Sequence, residues 1–149
     1  MKEKLIVRKI ENGSVIDHIT AFNGLKVMNI LNLNHDETIV VLINVPSKKL
    51  TRKDIVKIEN KRLSEREVNK IALIAQNATL NIIENGNVVE KKRVVLPEVL
   101  EEIIRCPNKN CITNMKEPTT TKFFTEKREP VRLKCFYCER IFNSKEIIV

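Results

Sequence analysis

Ser64-Glu-Arg-Glu-Val-Asn-Lys-Ile-Ala72, with Ala78-Thr-Leu-Asn-Ile-Ile-Glu-Asn-Gly-Asn-Val88 after it, is the stretch that decides the fold. Ser64 stands three residues before Glu67, the spacing at which a hydroxyl and a carboxylate satisfy each other's backbone amides at a helix start. Val68, Ile71, Ala72 and Ala75 then recur at helical spacing and predict one buried stripe. From Ala78 to Glu84 the period drops to two, Asn85-Gly86 supplies a tight turn, and Val88 to Val95 returns as a second strand. A helix followed by a hairpin is the signature of an α+β chain.

Working towards the amino terminus, Ile55 and Ile58 mark an extended segment, and the apolar run beginning at Ile39 predicts a strand through Val45 closed by Pro46. Ala21, Leu25 and Met28 sit at helical spacing. Leu5, Val7 and Ile10, a turn at Asn12-Gly13, and Val15, Ile16 and Ile19 read as a hairpin. The resulting order predicts a ferredoxin-like plait. Towards the carboxyl terminus, Glu98 to Ile104 after Pro97 predicts a brief connecting helix. Beyond it helical periodicity vanishes, and Thr119, Thr120, Thr121, Phe123 and Phe124 predict short strands. The chain thus divides into residues 1–97 and a small all-β segment, 98–149.

All four cysteines of the 149 residues fall in that segment. Cys106 and Cys111 form one close pair, Cys135 and Cys138 another, with a 23-residue loop between. Two knuckles of this kind describe a tetrahedral zinc site, because each tight turn lets two sulfurs converge while its amides bond to the thiolates. Four thiolates leave no open position for water, so one zinc per chain is expected in a structural role. Two disulfides are the alternative, disfavoured in a chain whose start lacks the order of a secretion signal and which reads as cytosolic.

A formal charge of +8 and a pI near 9.4 point first to polyanions. The cations, however, alternate with Glu and Asp, the longest basic run being Lys91-Lys-Arg93. No nucleophile–base pairing and no glycine-rich phosphate loop is present, which argues against an enzyme.

Three blocks, Val15-Ile-Asp-His-Ile19, Arg52-Lys-Asp-Ile-Val-Lys-Ile-Glu-Asn60, and Cys106-Pro-Asn-Lys-Asn-Cys-Ile112 with Cys135-Phe-Tyr-Cys-Glu139, resemble the regulatory chain of aspartate carbamoyltransferase in order and spacing. That resemblance implies a non-catalytic subunit of pyrimidine biosynthesis, a dimer that contacts the catalytic chain and responds to the nucleotides CTP, ATP and UTP. Carried over by motif, it implies a nucleotide site of Val7, Ile10, Asp17, His18, Ile55, Lys57, Asn81, Ile83, Val88 and Lys91. His18 and Lys91 would face phosphates, and Asp17 and Lys57 the ribose or base. Asn108, Asn110 and Glu139 would meet the catalytic chain. Arg8 and Gly86 depart from the family's pattern, where an acidic residue and a nearby aromatic are expected, and so bear on effector choice. Without the resemblance, a zinc-ribbon nucleic-acid binder is the competing reading; an aromatic content of 4% and the interspersed Glu residues speak against it.

Overall fold

The computed structural model describes residues 9–116 and 119–147. The residues form two compact units: the chain up to Leu63 with Asn77–Arg93, and Ser64–Gln76 with the chain from Val94 on.

The first unit is built on an antiparallel sheet of β1 (Gly13–Thr20), β2 (Ile39–Ser47), β3 (Thr51–Glu59), β4 (Thr79–Glu84) and β5 (Asn87–Arg93), in the order β2-β3-β1-β4-β5. Helix α1 (Gly24–Ile30) packs on β2 and β3. With helix α2 (Glu65–Ala72) between β3 and β4 in sequence, the order β1-α1-β2-β3-α2-β4 and this strand arrangement give the ferredoxin-like plait, extended by β5 at the β4 edge. One face of the sheet carries Ser14, Ile16, Val56, Ile58, Leu80 and Ile82, all buried. Register puts them together: Ile16 lies opposite both Val56 and Leu80, and Ser14 opposite Ile58 and Ile82. Their neighbours Val15, Asp17, Ile55, Lys57, Asn81 and Ile83 therefore share the other face.

The local signals of the sequence are realised where they depend on near neighbours. Ser64 and Glu67 make both bonds of the capping box at the start of α2, whose Val68, Ile71 and Ala72 are buried. Asn85 and Gly86 both adopt positive φ, 50° and 78°, as a two-residue hairpin turn of the right hand requires.

Four expectations are corrected. Both edges of β1 are taken, by β3 and β4, so the described residues just before Asn12 do not pair with it as a hairpin. Leu5 and Val7 lie outside the described residues. In α1 the buried positions are Gly24 and Val27, followed by Leu31, while Leu25 is exposed, because Asp54 and β3 fix which side of this short helix turns inward. Pro46 does not close β2 but sits within it, tolerated because among the described residues β2 is an edge strand, paired with β3 alone. The connecting helix expected after Pro97 is instead a strand.

That strand, β6 (Val99–Glu101), opens the second sheet, of order β6-β7-β8-β9, with β7 (Lys122–Arg128), β8 (Val131–Cys135) and β9 (Ile141–Asn143). Val99 and Leu100 pair with Phe124 and Phe123, and Leu100 is fully buried between exposed neighbours, which only a period of two allows. Phe123, Leu133 and Phe142 form the core of the sheet, with Phe123 and Phe142 meeting edge to face. Gln76, Thr125 and Arg128 add polar ties: Thr125 Oγ1 donates to the Pro97 carbonyl at 2.7 Å, and Gln76 Nε2 donates to the Arg128 carbonyl.

Candidate metal centre and cleft

The sulfurs of Cys106, Cys111, Cys135 and Cys138 all lie within 4.8 Å of one another. Cys106 and Cys138 are 3.7 Å apart and Cys111 and Cys135 3.8 Å. A tetrahedron with metal–sulfur bonds of about 2.3 Å has sulfur–sulfur edges of about 3.8 Å, whereas a disulfide needs about 2.05 Å. All four thiols are free. The donor set therefore fits one tetrahedral zinc and excludes the disulfide alternative.

Each knuckle is prepared for this charge. The 3-10 turn Ile112–Asn114 follows Cys111, and Thr113 Oγ1 donates to Cys111 Sγ at 3.2 Å. Burial raises the Cys106 and Cys135 thiols above their usual range, opposed by backbone amides of Asn108 for the first and of Cys138 and Tyr137 for the second. Burial also pushes the Cys138 thiol up. There the Arg140 amide, the Asn108 side chain and the neighbouring thiols outweigh it, and the pKa falls to about 7. Glu139 takes a left-handed φ of 62° to close the second knuckle, donating its N–H to the Cys135 carbonyl at 3.0 Å.

Three sequence-nominated polar residues flank these ligands. Asn108 is bound into its knuckle, its side-chain oxygen accepting from the Asn110 amide at 3.1 Å and its carbonyl from Cys111 N–H at 3.0 Å. Asn110 and Glu139 are exposed. Around them Ile112, Phe136 and Tyr137 are also exposed, an apolar signal that a search for polar contacts passes over.

On the face of the first sheet opposite its buried side lies a cleft of ≈ 370 Å³. Of the residues nominated for nucleotide, Ile10, Asp17, Ile55, Lys57, Asn81, Ile83 and Val88 line it together, joined by Lys9, Val15 and Gly86. The row Lys57–Val15–Asn81–Lys91 runs across four adjacent strands, each residue opposite the next. Lys91 stands in that row without lining the cleft, and a bulge between Ile82 and Ile83 sets its spacing from Val88. His18 also lies apart, with Nδ1 3.1 Å from Thr79 Oγ1. Val7 and Arg8 fall outside the described residues. Sequence reading missed Lys53, whose ammonium pairs with Asp17, and Val15, which the alternation from Asp17 places on the same face.

Among the described residues no helix is long and apolar enough to cross a membrane. Residues 5–95 match the family model described as aspartate carbamoyltransferase regulatory chain, allosteric domain, and residues 98–148 that of the metal binding domain of the same chain. An aspartate carbamoyltransferase regulatory chain of Pyrococcus abyssi is 54% identical over 148 residues, 97% of either chain. Those of Thermofilum pendens and Methanococcus aeolicus are 51% and 50% identical, over 99% of this chain and 95% and 94% of theirs. The four-cysteine site is accordingly a structural zinc centre in a non-catalytic subunit, and the chain belongs to the family of aspartate carbamoyltransferase regulatory chains.

Proposed function

We propose that the cleft on β1, β3 and β4 binds the nucleotide effectors CTP, ATP and UTP, and that the zinc segment carries their effect to the catalytic chain. The observation that supports this most is the convergence of Asp17, Lys57 and Asn81, from three strands, with apolar walls from Ile10, Ile55, Ile83 and Val88 in one concavity. In this reading Lys57 and Asp17 meet the ribose or base, a carboxylate accepting from sugar hydroxyls. Lys91 and His18 complete the site once a long triphosphate extends beyond the cleft; Val7, nominated with them, lies outside the described residues. Lys9, already at the cleft, adds a cation.

Residues 1–97 then form the allosteric domain and 98–149 the zinc domain, in a dimer of regulatory chains. Asn108, Asn110 and Glu139 are read as the contact with the catalytic chain, the zinc acting by fixing the knuckles from which they project. As part of a metabolic enzyme the complex works in the cytoplasm. An effector regulates only if it binds one quaternary state more tightly, by about 1–3 kcal/mol of coupling. Calorimetric titration of CTP, UTP and ATP into the zinc-loaded chain tests the cleft: Lys57→Ala and Lys91→Ala are each expected to weaken CTP by about tenfold. Undiminished affinity in both variants would refute it.

A further inference from the structure

All three glycines of the chain follow an asparagine, at Asn12-Gly13, Asn23-Gly24 and Asn85-Gly86. An asparagine before glycine cyclises readily, because no side chain on the glycine screens its backbone nitrogen from the neighbouring carboxamide carbon. The reaction also needs that nitrogen released from its hydrogen bond and the asparagine backbone free to rotate, so local opening of the fold decides which pair reacts.

At Gly24 both conditions are blocked. Its N–H donates at 2.8 Å to the buried Asp54 carboxylate, whose negative charge opposes loss of the proton. Asn23 is held as the N-cap of α1, with ψ at −4° and its carbonyl accepting from Val27 N–H at 3.1 Å. Gly13 is buried in β1, paired with Glu59 on one side and Ile83 on the other, and a Cβ there would lie 2.1 Å from the Ile58 carbonyl oxygen. Gly86 differs. It is exposed at the tip of the β4–β5 hairpin, with Glu11 Oε2, 3.5 Å from where a Cβ would stand, its nearest neighbour among the described residues. Gly86 N–H donates to the Glu11 carbonyl at 2.8 Å and Asn85 N–H to Asn12 Oδ1 at 3.1 Å. Glu11 and Asn12 are themselves exposed, so this turn opens without disturbing the core.

We propose that Asn85 is a site of spontaneous covalent modification, converting to aspartate and isoaspartate while the fold protects Asn12 and Asn23, and that the product weakens anion binding in the adjacent cleft. The Gly86 nitrogen, its proton lost to solvent, attacks Cγ of Asn85. A C–N bond forms, the Cγ–Nδ2 bond breaks, and the amide nitrogen takes up a proton and leaves as ammonia. Water then opens the cyclic imide at either carbonyl. One opening gives aspartate; the other gives isoaspartate, whose backbone runs through Cγ and lengthens the two-residue turn between the paired Glu84 and Asn87 by one atom. Both products place a negative charge next to Gly86, which lines the cleft with Lys9 and Val88. This second half of the proposal rests on the nucleotide reading of the cleft.

The zinc-loaded full chain, incubated in warm, mildly alkaline buffer and mapped by peptide mass spectrometry, tests the first half, with the same chain in denaturant as reference. In the folded chain Asn85 is expected to convert within about tenfold of its rate in denaturant, and Asn12 and Asn23 about a hundredfold or more below theirs. Conversion of Asn12 or Asn23 as fast as Asn85, or an Asn85 as strongly protected as they are, would overturn it. Calorimetry with CTP tests the second half: incubation should weaken binding by about threefold or more, and should leave Asn85→Gln, whose longer side chain does not form the five-membered imide, unchanged. Equal affinity in fresh and modified chain would remove that half. A fresh chain that binds no CTP would bring down the nucleotide reading, while the order of modification is decided by the peptide map alone.

Discussion

The ammonium of Lys53 stands 2.9 Å from the Asp17 carboxylate, with the two side chains only 17% and 22% exposed. The register shift between Ile16 and Ile19 leaves Asp17 paired with Thr79 on β4 alone, and its carboxylate also receives the His18 amide at 2.6 Å. Asp17 is therefore held in place at the cleft before any ligand arrives. Lys53→Met is expected to leave the carboxylate without its counter-ion and to weaken CTP by about three- to tenfold, read by calorimetry. Unchanged affinity would make the pair a matter of folding alone.

Asp54, fully buried, accepts the Gly24 and Asn44 amides, each at 2.8 Å, and so fixes the start of α1 against the β2–β3 hairpin. Asp54→Ala orphans both donors. A loss of about 2–4 kcal/mol is expected in denaturant unfolding, with Asp54→Asn recovering part of it through its remaining oxygen.

Ser14, buried under the same sheet, donates to the Lys61 carbonyl at 2.7 Å and accepts from Leu63 N–H at 3.1 Å. Ser14→Ala is expected to cost about 1–3 kcal/mol, and Ser14→Thr much less, because the hydroxyl is what joins β1 to the segment leading into α2. Chemical unfolding of the three proteins decides it.

Zinc uptake should be coupled to pH in a direction set by the thiols. Without metal, Cys106 and Cys135 are raised and hold their protons near neutrality, whereas Cys138 is lowered to about 7. At pH ~8, zinc binding should thus release about two or more protons, measurable by calorimetry in buffers of different ionisation enthalpy. As the pH falls through about 7, Cys138 also takes up a proton, and zinc affinity should drop more steeply. The sign for the metal-free fold agrees: the lowered Cys138 pKa stabilises it fully above 9.0, and that contribution is lost as pH falls through about 7.

What could be read from the sequence follows the range of the interactions involved. The capping box of Ser64 and Glu67, the Asn85-Gly86 turn and the two cysteine knuckles each depend on residues a few positions apart, and each is found where spacing put it. β6 was invisible because Val99 and Leu100 become a strand through Phe124 and Phe123, far along the chain. The position of β1 at the centre of its sheet likewise depends on β3 and β4, neither of which is its neighbour in sequence. Within the cleft, Ile10, Asp17, Lys57 and Asn81 came from a resemblance rather than from any local rule. Lys53 escaped notice because the bulge that brings it to Asp17 leaves no mark in the hydrophobic alternation.

Zinc-edge X-ray absorption on the purified full chain bears most directly on the account, since the knuckles that present Asn108, Asn110 and Glu139 take their shape from the metal. One zinc per chain with four sulfur neighbours at about 2.3 Å is the predicted result. A chain that carries no zinc, or whose zinc has oxygen or nitrogen in place of one or more sulfurs, would contradict it.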